Sequence, residues 1–215
     1  MKHPFLTLLI IAFITGIVFL LFALRLRPIL PETSPENTAV ITPLTTPTVT
    51  FVNPSHGFRS PLITIVEFSD FTCTYCKTQA AALDKLLLRY PLKIKIVWKH
   101  FPNDQHKLAL PAAIASQCAN DQGKFWVYHD ALFTKQNLLT SEEVLRSIAS
   151  ETGLNLSAFD SCYKNRDTWP IVEKDFNEAL GLGLTATPTL FINNIKIEGL
   201  TSFEDLAAYV EKILQ

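Results

Sequence analysis

Two cysteines at the join of a strand and a helix constrain this chain more than any other feature. The stretch from Glu67 to Ala80 reads EFSDFTCTYCKTQA, with two residues between Cys73 and Cys76. Ahead of Cys73 runs LITIVEF, short, β-branched and preceded by Pro61, which predicts a strand. From Cys73 onward, CTYCKTQAAALDKLLLRY has the spacing of a helix of about five turns, stopped by Pro91. Cys73 therefore opens a helix. The unpaired N–H groups and the positive dipole end there favour an anion, in this case a thiolate. Cys76 lies nearly one turn on, close enough to close a disulfide with Cys73 or to attack a mixed disulfide formed on it. The pair alone leaves three uses open: metal binding, a structural staple, and thiol–disulfide exchange.

Compartment bears on that choice, because disulfides persist where the surroundings are oxidising. Among the 215 residues, Phe5 to Leu24 is a run of 20 without a charge. At about 1.5 Å per residue, a helix of that length spans the ~30 Å hydrocarbon core. A cleaved signal peptide is the rival reading, but its apolar region would be unusually long, and FALRLRP holds no good small-x-small cleavage site. The expectation is an uncleaved anchor. Lys2 argues for a cytoplasmic N-terminus, while Arg25 and Arg27 argue the other way. Between Pro28 and Pro61 stand seven of the 13 prolines and seven threonines, the composition of an extended spacer with at most a short strand near Val49 to Val52. The expected layout is a cytoplasmic tip and transmembrane anchor at 1–27, a linker at 28–61 and a folded domain at 62–215.

Within that domain the order is β-α-β, helices, then β-β-α. LKIKIVWKHF sets Ile94, Ile96 and Trp98 against Lys93, Lys95 and Lys99, the period of a strand. QHKLALPAAIASQCANDQGKFWVYHDALF is helical with a break around Asp121 to Gly123. TSEEVLRSIASETG predicts a helix with a capping box from Thr140 to Glu143 and a stop at Gly153. Two further helices follow, then TPTLFIN, a turn at Asn193-Asn194, IKIEG, and an amphipathic helix capped by Ser202. A helical block, about 105–183, interrupts an α/β unit.

The metal reading fares worst. Structural zinc wants four ligands, yet there is no second C-x-x-C, and the five histidines at positions 3, 56, 100, 106 and 129 are scattered. A Cu(I)-binding module using Cys73 and Cys76 stays open, although Met1 is the only methionine to offer a thioether. Formal net charge is −1 with no basic block, so no nucleic-acid partner is expected.

From about Leu62 to Leu214 the chain resembles the DsbA-type thiol–disulfide oxidoreductases of the thioredoxin superfamily, most of all their membrane-anchored members. The resemblance lies in EFSDFTCTYC, KHFPN, CANDQGKFWVYHDALF, TATPTLFIN and the terminal helix. It implies an α/β, thioredoxin-like fold with an inserted helical subdomain, preceded here by the N-terminal transmembrane helix. It also implies a cell-membrane, single-pass protein with its catalytic domain outside the cytoplasm, Arg25 and Arg27 notwithstanding. Cys73 and Cys76 match the family's redox pair, with Thr74 and Tyr75 between them. Pro188 matches its cis-proline, which would leave the backbone of Thr187 free to bind an extended substrate in the manner of an added strand. Glu67 matches its buried acid, able to exchange a proton with Cys76. Cys118 and Cys162, both in the helical block, are expected to pair as a structural disulfide in an oxidising compartment, the alternative being two buried thiols. The implied activity is disulfide exchange, with oxidation favoured over reduction or isomerisation. Its partners would be thiol-containing exported proteins or peptides and a membrane redox partner, with no cofactor and no metal. Strongly oxidising members carry proline and histidine between the cysteines and valine before the cis-proline, so Thr74, Tyr75 and Thr187 leave the oxidising power open.

Overall fold

The structure is a computed structural model that describes residues 4–25 and 45–215. The first of these stretches is a 22-residue helix, α1 (Pro4–Arg25). Its side chains are described only at Leu9 and from Ala12 to Phe22. Among the described residues no helix is long and apolar enough to cross a membrane. The expected span therefore lies partly outside the described side chains, and the first half of the expected linker, residues 28–44, lies outside the described residues.

The second stretch builds one mixed sheet from β1 (Ser55–Gly57), β2 (Ile63–Ser69), β3 (Ile94–His100), β4 (Thr189–Ile192) and β5 (Ile195–Glu198). The strand order is β1-β3-β2-β4-β5. β2 and β3 run parallel in the register Glu67↔Trp98, and the other pairings are antiparallel. A parallel pair needs a long crossover, which α2 (Thr74–Arg89) supplies. The helical block comprises α3 (Ala109–Asn120), α4 (Phe125–Thr134), a 3₁₀ turn (Gln136–Leu138), α5 (Glu142–Glu151) and α6 (Leu156–Asn165). α7 (Trp169–Gly181) leads back to the sheet, and α8 (Phe203–Leu214) ends the fold.

Strand alternation distributes the core. Ile63, Ile65, Ile94 and Ile96 pack with Leu83 and Leu86 of α2 and Leu206 and Val210 of α8. Val66, Phe68 and Val97 face the other way, against Ala179 of α7 and Leu182. By the same period of two, Glu67 and Trp98 belong to the α2 side and Lys99 to the α7 side. Lys99 is fully buried there, its Nζ 2.8 Å from Asp175 Oδ1 and 2.5 Å from Glu178 Oε2.

Three local expectations shift. The edge strand is Ser55–Gly57 rather than 49–52, so the folded unit starts upstream of Leu62. Residues 50–53 make a turn instead, because Asn53 Oδ1 accepts from both the N–H and the hydroxyl of Thr50. The N-cap of α5 is Ser141, one residue past the expected Thr140.

Candidate functional site

The site forms where β2 ends. Asp70 is buried, and its Oδ1 accepts from the N–H and hydroxyl of Thr72, both at 2.7 Å, an Asx-type turn that reverses the chain. Its Oδ2 accepts from the N–H of Asn103 at 2.9 Å, tying in the loop after β3. The Asp70 carbonyl accepts from the N–H of Cys73 at 3.1 Å. Cys73 thus arrives as the N-cap of α2, with extended backbone angles of φ −80° and ψ 120°. Gln136, on the 3₁₀ turn, closes the loop from above: its Nε2 donates to the carbonyls of Phe71 at 2.8 Å and Cys73 at 2.9 Å.

The two sulfurs differ sharply in environment. Cys73 is half-buried, and its Sγ accepts from the Cys76 N–H at 3.4 Å. Cys76 is fully buried. Both are free thiols in the structure. Hydrogen bonding from the Cys76 thiol, helped by the backbone N–H groups of Cys76 and Tyr75 and opposed by burial, brings the Cys73 pKa down to about 6. Burial pushes Cys76 far up, and the negative charges of Cys73 and Glu67 add to the rise. Glu67 lies on the α2 side of the sheet, 1% exposed, with Oε1 unpartnered among the described residues. Burial raises its carboxyl to about 8. The arrangement offers one acidic, accessible nucleophile, one covered thiol, and a buried acid that is protonated at neutral pH.

The Thr187–Pro188 bond is cis. It sets the Thr187 carbonyl 3.5 Å from Cys73 Sγ, within reach of its S–H. Thr74 and Tyr75 are exposed on the first turn of α2, Tyr75 at 64%. Cys118 on α3 and Cys162 on α6 are joined as a disulfide, with Cα atoms 5.9 Å apart. The structure therefore gathers Glu67, Cys73, Cys76, Thr187 and Pro188 into one place and sets Cys118–Cys162 in the helical block. His100 does not join the sulfurs. It is buried, receives a hydrogen bond from Trp98 Nε1 at 3.1 Å, and lies 2.9 Å from Gln117 Nε2; burial drives its pKa down to about 3.

The sequence model of a family described as Thioredoxin matches residues 55–212. The chain belongs to the thioredoxin family. Among solved structures, Wolbachia pipientis alpha-DsbA1 shares the fold of this chain at a TM-score of 0.69 and 23% identity, covering 77% of this chain and 92% of that one. BdbD from Bacillus subtilis does so at 0.68 and 23%, covering 76% and 93%. A protein named Na(+)/H(+) antiporter NhaA 3, from Salinispora tropica, is 34% identical over 155 residues, which are 72% of this chain and 24% of the antiporter. The chain spans about a quarter of the length of the curated relatives it matches.

Asp70, Asn103 and Gln136 were not singled out from sequence. Asp70 left a signal, since Asp-x-Thr is an Asx-turn pattern. Gln136 left none, because its two acceptors lie 63 and 65 residues away.

Proposed function

We propose that this protein is a membrane-anchored, extracytoplasmic thiol–disulfide oxidoreductase that oxidises exported proteins through Cys73 and Cys76. The observation that carries the reading is the asymmetry of the pair, an acidic and reachable Cys73 beside a covered Cys76. In the oxidised protein a substrate thiolate attacks Cys73 Sγ. The Cys73–Cys76 bond breaks, Cys76 leaves with the electron pair, and Glu67 supplies its proton. A second substrate thiolate then attacks the substrate sulfur of the mixed disulfide. Cys73 departs as a thiolate, the substrate gains a disulfide, and the protein is left with two thiols. An extended substrate would pair with Thr187, whose N–H makes no hydrogen bond among the described residues. A membrane redox partner would return the pair to the disulfide.

Anchoring rests on the uncharged run from Phe5 to Leu24. Large apolar side chains such as Phe13, Val18, Phe19 and Phe22 stand 60% or more exposed on α1, a surface that lipid would cover. The export reading is supported by a structural relative described as a periplasmic thioredoxin-like protein, from Salmonella enterica serovar Typhimurium.

The test mixes oxidised protein with a reduced dithiol peptide. One peptide disulfide should form for each pair of protein thiols that appears, and Cys73→Ala should transfer nothing. No transfer by the wild type, with tight Cu(I) binding by the reduced protein, would favour the metal-binding alternative.

A further inference from the structure

A trough made of two adjoining cavities begins at Thr187, whose carbonyl lies beside Cys73. The two cavities, of about 320 and 440 Å³, share Pro102, Asn103, Asp104 and Phe176 in their linings and so lie side by side. Each falls within the ~300–1,000 Å³ typical of sites that enclose a ligand. The near end is walled by Thr185 to Thr187 and the loop from Phe101 to Gln105, and lined below by Phe176 and Leu180 of α7. The far end is lined by Leu110, Pro111, Trp169 and Val172, with His106, Lys107 and Arg166 around it.

Two properties of the trough point to its occupant. Its lining leaves apolar surface open, with Leu180 53% exposed. Its rim is cationic: Asp104 is the one carboxylate lining either cavity, and neither Lys107 nor Arg166 has an ion-pair partner among the described residues. Arg166 closes α6 in the left-handed conformation, φ 56°, with its guanidinium 5.8 Å over the Trp169 ring, which holds the charge at the mouth. The near end begins at the residue whose carbonyl lies 3.5 Å from Cys73 Sγ. A chain joined to Cys73 and paired with Thr187 can leave along this trough.

We propose that the trough is a subsite for the substrate polypeptide, taking residues beside the reacting cysteine and favouring segments that combine aromatic or aliphatic side chains with acidic ones. This rests on Cys73 and Cys76 being an exchange site. It specifies which thiol-containing chains that site prefers.

The test uses the reduced full-length protein in detergent and three thionitrobenzoate conjugates. One is of a peptide with phenylalanine and aspartate on both sides of a single cysteine. The second is its twin with lysine for aspartate, and the third is of glutathione. Attack by the Cys73 thiolate forms a disulfide to the peptide and expels thionitrobenzoate, which is read by absorbance. At low salt the acidic peptide should react about tenfold faster than its twin, in line with charge complementarity at a binding surface. Lys107→Glu with Arg166→Glu should invert that ratio, and Lys107→Glu alone, which spares the α6 cap, should narrow it. A ratio of one in the wild type, or the same ratio in the variants, would overturn the proposal. No release from the glutathione conjugate would overturn the exchange reading instead, and the proposal with it.

Discussion

Replacing Lys99 by methionine should be among the most damaging single changes on the α7 side of the sheet. The ammonium lies between Asp175 and Glu178, with side chains 1%, 1% and 7% exposed respectively. Other donors already serve both acids. Asp175 accepts from the His100 N–H at 3.1 Å and from Asn53 Nδ2 at 3.2 Å. Glu178 accepts from the N–H and hydroxyl of Thr48, at 2.5 and 2.6 Å. Methionine fills much of the lysine stem's volume but leaves two covered carboxylates with no cation. Breaking a buried pair in this way costs about 3–5 kcal/mol. For a domain of this size, 1 kcal/mol moves Tm by roughly 2–4 °C, so a fall of about 6–20 °C is expected. The wild-type acids respond to pH in opposite senses. Burial holds Asp175 above its ordinary value in spite of Lys99. Glu178 is also penalised by burial, but hydrogen bonds from Lys99 and Thr48 outweigh it and bring it below. A depressed carboxyl contributes stability above its unfolded pKa, and that contribution is lost as pH falls through the folded pKa. Removing Lys99 removes what depresses Glu178, so the deficit of the variant should be full near pH 7 and shrink as both acids protonate in acid. Thermal melts of both proteins between pH 4 and 8 read this out. The triple change Lys99→Met, Asp175→Asn, Glu178→Gln should recover most of the loss. A fall of less than about 3 °C at pH 7, or a deficit independent of pH, would refute the role given to Lys99.

Alkylation of reduced Cys73 should follow a midpoint near pH 6, and Cys76→Ala should move that midpoint up, since the Cys76 thiol is the largest contributor to the lowered pKa. Iodoacetamide rates across pH 4 to 9 measure both. Glu67 has its folded pKa raised to about 8, so the neutral acid is favoured in the fold and stability is lost as pH rises through that value. Glu67→Gln should therefore be more stable than the wild type at pH 8 and nearly equal to it at pH 4, by urea unfolding. Cys118→Ala with Cys162→Ala removes a bridge with a sequence separation of 44. It should cost about 4 kcal/mol in the chain-entropy model, a lower urea midpoint at an essentially unchanged rate of peptide oxidation.

Local patterns in the chain were read well because local physics produces them. The strand before Cys73, the helix after it and the Ser202 cap each depend on residues within a few positions, and the structure shows them at β2, α2 and α8. Long-range pairing was out of reach. Lys99 alternates with Ile96 and Trp98 like any outward lysine, and nothing near it shows that Asp175 and Glu178, 76 and 79 residues on, will enclose it. Strand β1 was hidden for a related reason: SHG has no strand propensity of its own and exists through its pairing with β3. The trough likewise depends on α7, the loop after β3 and the residues before Pro188 meeting, which no local pattern encodes.

The most direct measurement is an acid-quenched, non-reducing gel of Cys73→Ala and Cys76→Ala after expression in an exporting cell. Cys76→Ala keeps the accessible thiol and lacks the one that resolves it, so mixed disulfides with exported proteins should accumulate through Cys73. Cys73→Ala keeps only a buried, weakly acidic thiol and should trap almost nothing. Strong trapping by Cys76→Ala alone is the expected result. Equal trapping by both variants, or none by either, would contradict an exchange reaction that begins at Cys73.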